Sequence, residues 1–404
     1  MIKTNIYNFN FFKFSLLFFA VSFNLGLAIN SIAFGLAVLT LSFSFIKDKG
    51  YKNLEINYYT KLLFVFASLS LIIEVINNYN SFGYFLFQKS IVFLILPILI
   101  SLNKKRIKKI TNSILFYFII GCVLNALVNW TFAIYRGFLL VPEGVNYWYF
   151  SYNFFAEPFR IQPIYLGLYY VSAMVFIHFI KINKYLYIFI VSFLFVSTFM
   201  LAARNAIFSM LLFIPALIMF KQKLKIKQLI LILIFAITSV ILVLQNPIIK
   251  NRLFKVAEKG NFYSGHSLRL DIWSSAFEVG QNNIFGLGEV KSEKRLTEVY
   301  KEKKLITPVI KKYNAHSQYL QSFVQHGILG VVFLLILFIY LLINFKSKKN
   351  YLGVIWVVVI MLSAITESIF VRQWGSFFFV FISMLLLLKQ KEINVNRSNH
   401  HKSI

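Results

Sequence analysis

Apolar runs of about twenty residues recur along the whole chain, separated by short polar turns, and no other feature limits its folding as much. A hydrocarbon core about 30 Å thick is crossed by about 20 helical residues rising 1.5 Å each. Backbone polar groups in lipid are satisfied only within helices or closed barrels. A barrel needs short strands of alternating polarity, which unbroken apolar runs do not supply. The sequence therefore predicts an all-α polytopic membrane protein. A mean hydropathy of +0.71, with 59% hydrophobic and 14% charged residues, excludes a soluble globular chain of this length.

The runs fall at roughly 11–29, 31–46, 62–79, 84–102, 113–135, 163–181, 184–201, 205–220, 228–246, 317–344, 351–370 and 374–388, about 12 spans. The formal charge of +28 comes from 42 basic and 14 acidic residues, and its distribution argues against nucleic acid as the partner. Lys47, Lys49, Lys52, Lys104–Lys109, Lys181, Lys184, the lysines of 221–227 and those of 346–349 all follow even-numbered spans. Loops after odd-numbered spans carry few lysines, so both termini are expected in the cytoplasm. The first run, after Lys3 and Lys13, lacks a small-residue cleavage site and reads as a retained helix. Cys122 is the single cysteine and lies inside a run, which rules out an intramolecular disulfide.

The chain reads as one transmembrane domain, 1–404, with a large extracytoplasmic loop at 247–316 between spans nine and ten. Between Pro247 and Lys312 that loop holds 13 Lys or Arg against 7 Asp or Glu, a balance suited to an anionic ligand. A second outer stretch, 136–162, is rich in aromatic residues. Ionisable groups in or beside spans cost several kcal/mol unless paired or hydrated, so they are functional candidates. Glu74, Lys89, Arg204, His316, Glu367 and Arg372 all fall toward the outer side. Each also has a plain structural reading. Arg204 can snorkel at the interface, Glu74 and Lys89 can form an ion pair, Glu367 and Arg372 can cap a turn, and the aromatics of 147–155 can form an interfacial belt.

The stretch KKYNAHSQYLQSFVQHGILG shifts that balance. On a helix beginning near Tyr313, Gln318, Gln321 and Gln325 form one polar stripe that must face the bundle or a hydrated hollow. His316 is expected at the positive end of the same helix, where the dipole disfavours an imidazolium and leaves a proton acceptor. His326, about 15 Å deeper, is assigned a packing role.

Four stretches together resemble the O-antigen ligase and polymerase superfamily of bacterial envelope glycan assembly. They are AARNAIFSMLLFIPAL, RLDIWSSAFEVGQNNIFGLGEV, NAHSQYLQSFVQHGILGVVFLL and RIQPIYLGLYY, which span a core region of about 160–345. Two positions depart from the family pattern: Ala203 stands for a serine before the arginine, and Ser317 for an asparagine after the histidine.

The resemblance implies a GT-C-like fold in the bacterial inner membrane with a periplasmic active site. It implies metal-independent, inverting transfer of a glycan from undecaprenyl diphosphate to a lipid or glycan acceptor, with no cofactor. Arg204 and Arg269 match the family's arginine positions and would take the diphosphate, while His316 would take the acceptor proton. Gln318, Tyr319, Arg160 and Trp148 are the expected substrate-binding residues, and the glycines of FGLG would turn the loop back onto the membrane. A ligase and a polymerase share this donor and differ in acceptor. A flippase predicts inverted repeats and midplane charges, neither of which the sequence shows. A non-catalytic scaffold predicts that His316 is dispensable.

Overall fold

The computed structural model describes residues 2–47, 56–81, 90–141, 144–210, 241, 245–249 and 266–389. Its elements are α1 (Ile2–Ser22), α2 (Leu27–Lys47), α3 (Tyr58–Asn78), α4 (Ile91–Leu102), α5 (Lys104–Ile134), α6 (Pro163–Phe176) and α7 (Lys184–Met200). They continue with α8 (His266–Gln281), α9 (Gly288–Glu302), α10 (Gln318–Ser347), α11 (Tyr351–Thr366) and α12 (Gln373–Leu388). Among the described residues there is no strand, so the expected all-helical class holds. Four helices there are long and apolar enough to cross a membrane: Leu27–Lys47, Tyr58–Asn78, Lys104–Leu139 and Gln318–Ser347. Shorter apolar helices pack with them, and the expected spans 205–220 and 228–246, with Lys89, lie largely or wholly outside the described residues.

The helices carry the pattern of chains packed in lipid. On α2, Ala33, Ala37 and Leu41 are buried while Ile32, Leu39 and Phe43 are exposed, so both faces are apolar. Association of such helices rests on close packing and on polar side chains that bond across them. Phe118, Tyr169 and Phe378 supply one packed knot, with ring centroids 4.8–6.1 Å apart. Beside it, Asn125 donates to the Asn24 carbonyl at 2.7 Å and accepts from the Tyr170 hydroxyl at 2.7 Å. Such a bond contributes about 0.6–2 kcal/mol in a membrane bundle.

One boundary differs from expectation on the basic side. Lys104–Lys109 form the first turns of α5, and Asn103 alone separates that helix from α4. Two Asn103 bonds, Nδ2 to the Leu41 and Leu99 carbonyls, make this tight joint possible.

The basic segment expected to be a loop contains, in its described part, two long helices joined by turns. Its helices α8 and α9 bury Leu268, Ile272, Val279, Leu296 and Tyr300 against Val324 of α10, a second core distinct from that of the bundle. FGLG is where this layer is fastened. Helix α10 breaks at Gly327 (φ 65, ψ −163), a conformation open only to glycine. The backbone groups freed there are taken by the turn: Leu287 N donates to Val324 O at 3.0 Å, and Ile328 N to Ile284 O at 2.9 Å. Glu74 of α3, fully buried, accepts the Glu289 backbone N–H at 2.5 Å, and Asn78 donates to Leu287 O. A carboxylate at the start of α9 also complements the helix dipole. The glycine-rich turn thus interlocks with a broken membrane helix.

Candidate functional site

The start of α10 sets the site. The helix begins at Gln318 with Ser317 as its N-cap residue, later than the start near Tyr313 that the pattern suggests. Side chains hold the preceding turn instead. Asn314 Oδ1 accepts from His316 N at 3.0 Å, and Gln321 Oε1 accepts from Ala315 N at 2.8 Å. Such local bonds compete with helix formation. His316 is left in the left-handed region at φ 45, uncommon for a side chain of this size. It therefore stands two residues outside the helix rather than in its first turn.

The residue His316 is held from three sides, twice at its ring and once at its backbone carbonyl. Its Nδ1 lies 3.4 Å from Oε2 of Glu367, whose side chain is only 6% exposed at the end of α11. Its carbonyl accepts from Trp273 Nε1 at 3.1 Å, which ties it to α8. Its ring stands edge-on to Tyr313, with centroids 4.9 Å apart. Gln318 fastens the two segments together, its Oε1 accepting from Phe370 N at 2.7 Å and its Nε2 donating to Ser322.

Arg269 precedes Trp273 by four residues on α8 and so shares its face. Burial holds its guanidinium below the ordinary arginine value; the Glu367 carboxylate opposes that shift and the like charge of Arg204 adds to it. Tyr152 also acts on this group. Arg204 reaches the same surroundings from the start of the helical stretch 204–210, after a turn in which Ala202 adopts φ 45. Glu367 thus pairs with His316 and acts, with Arg204, on the charge of Arg269, from segments far apart in the chain.

The other expected residues stand elsewhere or are already engaged. Both ends of the Gln318 amide are bonded within the protein, and the Tyr319 hydroxyl donates to Met361 O at 3.3 Å with its ring against Phe338. Trp148 is 56% exposed and edge-on to Phe154. Arg160 is exposed at φ 51, its backbone bonded to Glu157. Among the described residues neither Arg160 nor Trp148 makes a hydrogen bond or ring contact with His316. The glutamine stripe is buried, with Gln318 and Gln321 each 3% exposed and Gln325 7%. His326 packs edge-on to Phe66, the role expected of it.

Sequence reasoning undervalued Glu367, which read equally well as a turn cap, and gave Trp273 and Tyr313 no role. The signal for Glu367 was present: a carboxylate at the end of an apolar helix needs a compensating partner. Next to this cluster lies a cavity of about 600 Å³, lined by Tyr313, Gln321, Gln325, Arg372 and Trp374 among others. A smaller one of about 40 Å³ shares Glu289, Gln325 and Val371 with it. Among the described residues no three His, Cys, Asp or Glu side chains gather into a metal-ligand set.

Residues 188–335 match a family model described as O-antigen ligase. No curated protein matches the chain.

Proposed function

We propose that the chain, whose residues 188–335 match the O-antigen ligase family model, is a member of the O-antigen ligase and polymerase superfamily and transfers a glycan from undecaprenyl diphosphate to an acceptor hydroxyl. The transfer takes place at the periplasmic face of a bacterial inner membrane, with both termini in the cytoplasm. The observation that carries the reading is the His316–Glu367 pair beside Arg269 and Arg204.

Each group has one task. With Nδ1–H directed to the Glu367 carboxylate, Nε2 of His316 keeps its lone pair for the acceptor proton. As the acceptor oxygen bonds to the anomeric carbon, the bond from that carbon to the diphosphate oxygen breaks from the opposite face, which inverts the centre. The proton passes to Nε2, and Glu367 compensates the charge that develops on the ring. The leaving diphosphate gathers negative charge, which the guanidinium forks of Arg269 and Arg204 neutralise by charge-assisted bonds. The partial burial of Arg269 strengthens that interaction, because charges attract more where water is excluded. Gln318 acts at one remove, by holding the 367–370 turn against the start of α10. Arg160, Trp148 and Tyr152 belong to the sugar-facing outer segment; an exposed indole is suited to stacking on a sugar face.

The test is transfer by the purified chain from undecaprenyl-diphosphate-linked glycan, resolved on a gel. A lengthened lipid-linked glycan identifies a polymerase and a glycan moved onto a new carrier identifies a ligase. No transfer to a lipid-linked glycan, to a glycolipid core or to a protein hydroxyl would refute the proposal.

A further inference from the structure

Helix α10 changes character at Gly327. Before the break it buries Gln321, Gln325 and His326; after it Ile328, Leu329 and Val332 are exposed. From Ile328 to Lys346, near its far end, the helix rises about 27 Å. On α3, Lys61 and Asn78 stand about 26 Å apart by the same rise. Both stretches nearly fill a hydrocarbon core of about 30 Å, so with the two lysines at one boundary Ile328 and Asn78 mark the other.

The turn between α8 and α9 is fixed at that level. Ile284 O accepts from Ile328 N, and Asn78 donates to Leu287 O at 3.1 Å. Gly286 comes so close to the break that a Cβ there would stand 2.6 Å from Gln325 O. Irregular backbone is tolerated at membrane depth only where the protein itself satisfies its polar groups, which these bonds do.

The side chains at the tip of the turn are apolar and uncovered: Phe285 is 82% exposed and Ile284 54%. Exposed apolar side chains continue from them on both supporting helices, Ile76 and Tyr79 on α3, Ile328 and Leu329 on α10. No charged residue occurs between Glu278 and Glu289, whereas α9 carries eight in its 15 residues. An exposed apolar patch of this kind marks a contact with lipid or protein. Its continuity with the exposed faces of two spanning helices selects lipid.

We propose that the Ile284–Phe285 turn is a wedge inserted among the phospholipid acyl chains of the adjacent leaflet. The α8–α9 layer, which carries Arg269, is thereby anchored in lipid as well as against α10. The assignment needs only that α3 and α10 cross the membrane, and it is independent of what the chain transfers.

Spin labelling of the purified full chain in lipid nanodiscs tests this. Cys122 is the single cysteine, so Cys122→Ala supplies the background. Onto it are placed Phe285→Cys, Ile76→Cys as the lipid reference and Lys294→Cys as the aqueous one. The label at 285 is expected to behave as that at 76. Oxygen, which concentrates among acyl chains, should relax it strongly, and a water-soluble nickel chelate about fivefold less than the label at 294. Nickel access equal to that at 294 overturns the proposal. So does spin–spin coupling between two labels at 285, which makes the patch a contact between copies of the chain. A second measurement uses no label. In nanodiscs whose phosphatidylcholine carries a photoreactive acyl chain, the wild-type peptide that holds Phe285 should be crosslinked. Phe285→Asp should lower that yield about fivefold relative to crosslinks on α10. A wild-type peptide without crosslinks, or the same relative yield in Phe285→Asp, overturns the proposal as well.

Discussion

The Nδ1 atom of His316 and the Oε2 atom of Glu367 lie 3.4 Å apart although fifty-one positions separate the residues. A carboxylate so placed fixes the ring's orientation and its tautomer, which makes the other nitrogen a defined proton acceptor. Glu367→Gln preserves volume and a hydrogen bond while removing the charge. It is expected to lower kcat by about 10–10²-fold, a part of the 10²–10⁴ that a positioned base contributes. Donor KM should hold. Steady-state kinetics that show an unchanged kcat would remove Glu367 from the account.

Arg269 is buried enough to hold its guanidinium below the ordinary arginine value, yet arginine starts so high that it stays charged at any working pH. A lysine in the same surroundings starts about two units lower and is disfavoured by the same burial and by Arg204. Lysine is charged only below its pKa. Arg269→Lys is therefore expected to bind donor at neutral pH and to lose it as the pH rises into the alkaline range, before free lysine would lose its charge, where the wild type does not. Donor affinity measured across that range checks this.

Gly327 has no room for a side chain. A Cβ there would stand 2.0 Å from Ile284 O, and the residue's φ of 65 with ψ of −163 suits glycine alone. Gly327→Ala should destabilise the interlock by about 1–3 kcal/mol or more. Trypsin cleavage at Lys291 and Lys294 of α9 should speed up before the bundle itself unfolds.

Glu74→Ala leaves the Glu289 N–H without the carboxylate it now meets. A buried donor stripped of its partner costs about 1–3 kcal/mol. The melting temperature should fall, and cleavage in α9 should rise as it does for Gly327→Ala. A variant as stable as the wild type would show that the latch is not needed.

The bundle was legible because hydropathy is local: a run of twenty apolar residues announces its own helix wherever the neighbours lie. The buried glutamine stripe was legible for a related reason, since Gln318, Gln321 and Gln325 recur at helical spacing and lipid forbids them. The beginning of α10 was misread because Asn314 and Gln321 bond to the backbone of the preceding turn, a contest that apolar periodicity does not register. The pairing of His316 with Glu367, and the action of Glu367 on Arg269, depend on how α8, α10 and α11 pack. No spacing within any one segment encodes that. The cavity beside Tyr313 belongs to the same class: its wall draws on α2, α9, α10 and α12 at once.

The account rests most heavily on His316 as the base, and single-turnover transfer by His316→Ala tests it most directly. With undecaprenyl-diphosphate glycan and acceptor both saturating, the variant should lose about 10²–10⁴-fold in rate while donor affinity and melting temperature stay at wild-type values. A variant that folds, binds donor and transfers within twofold of the wild-type rate contradicts the account.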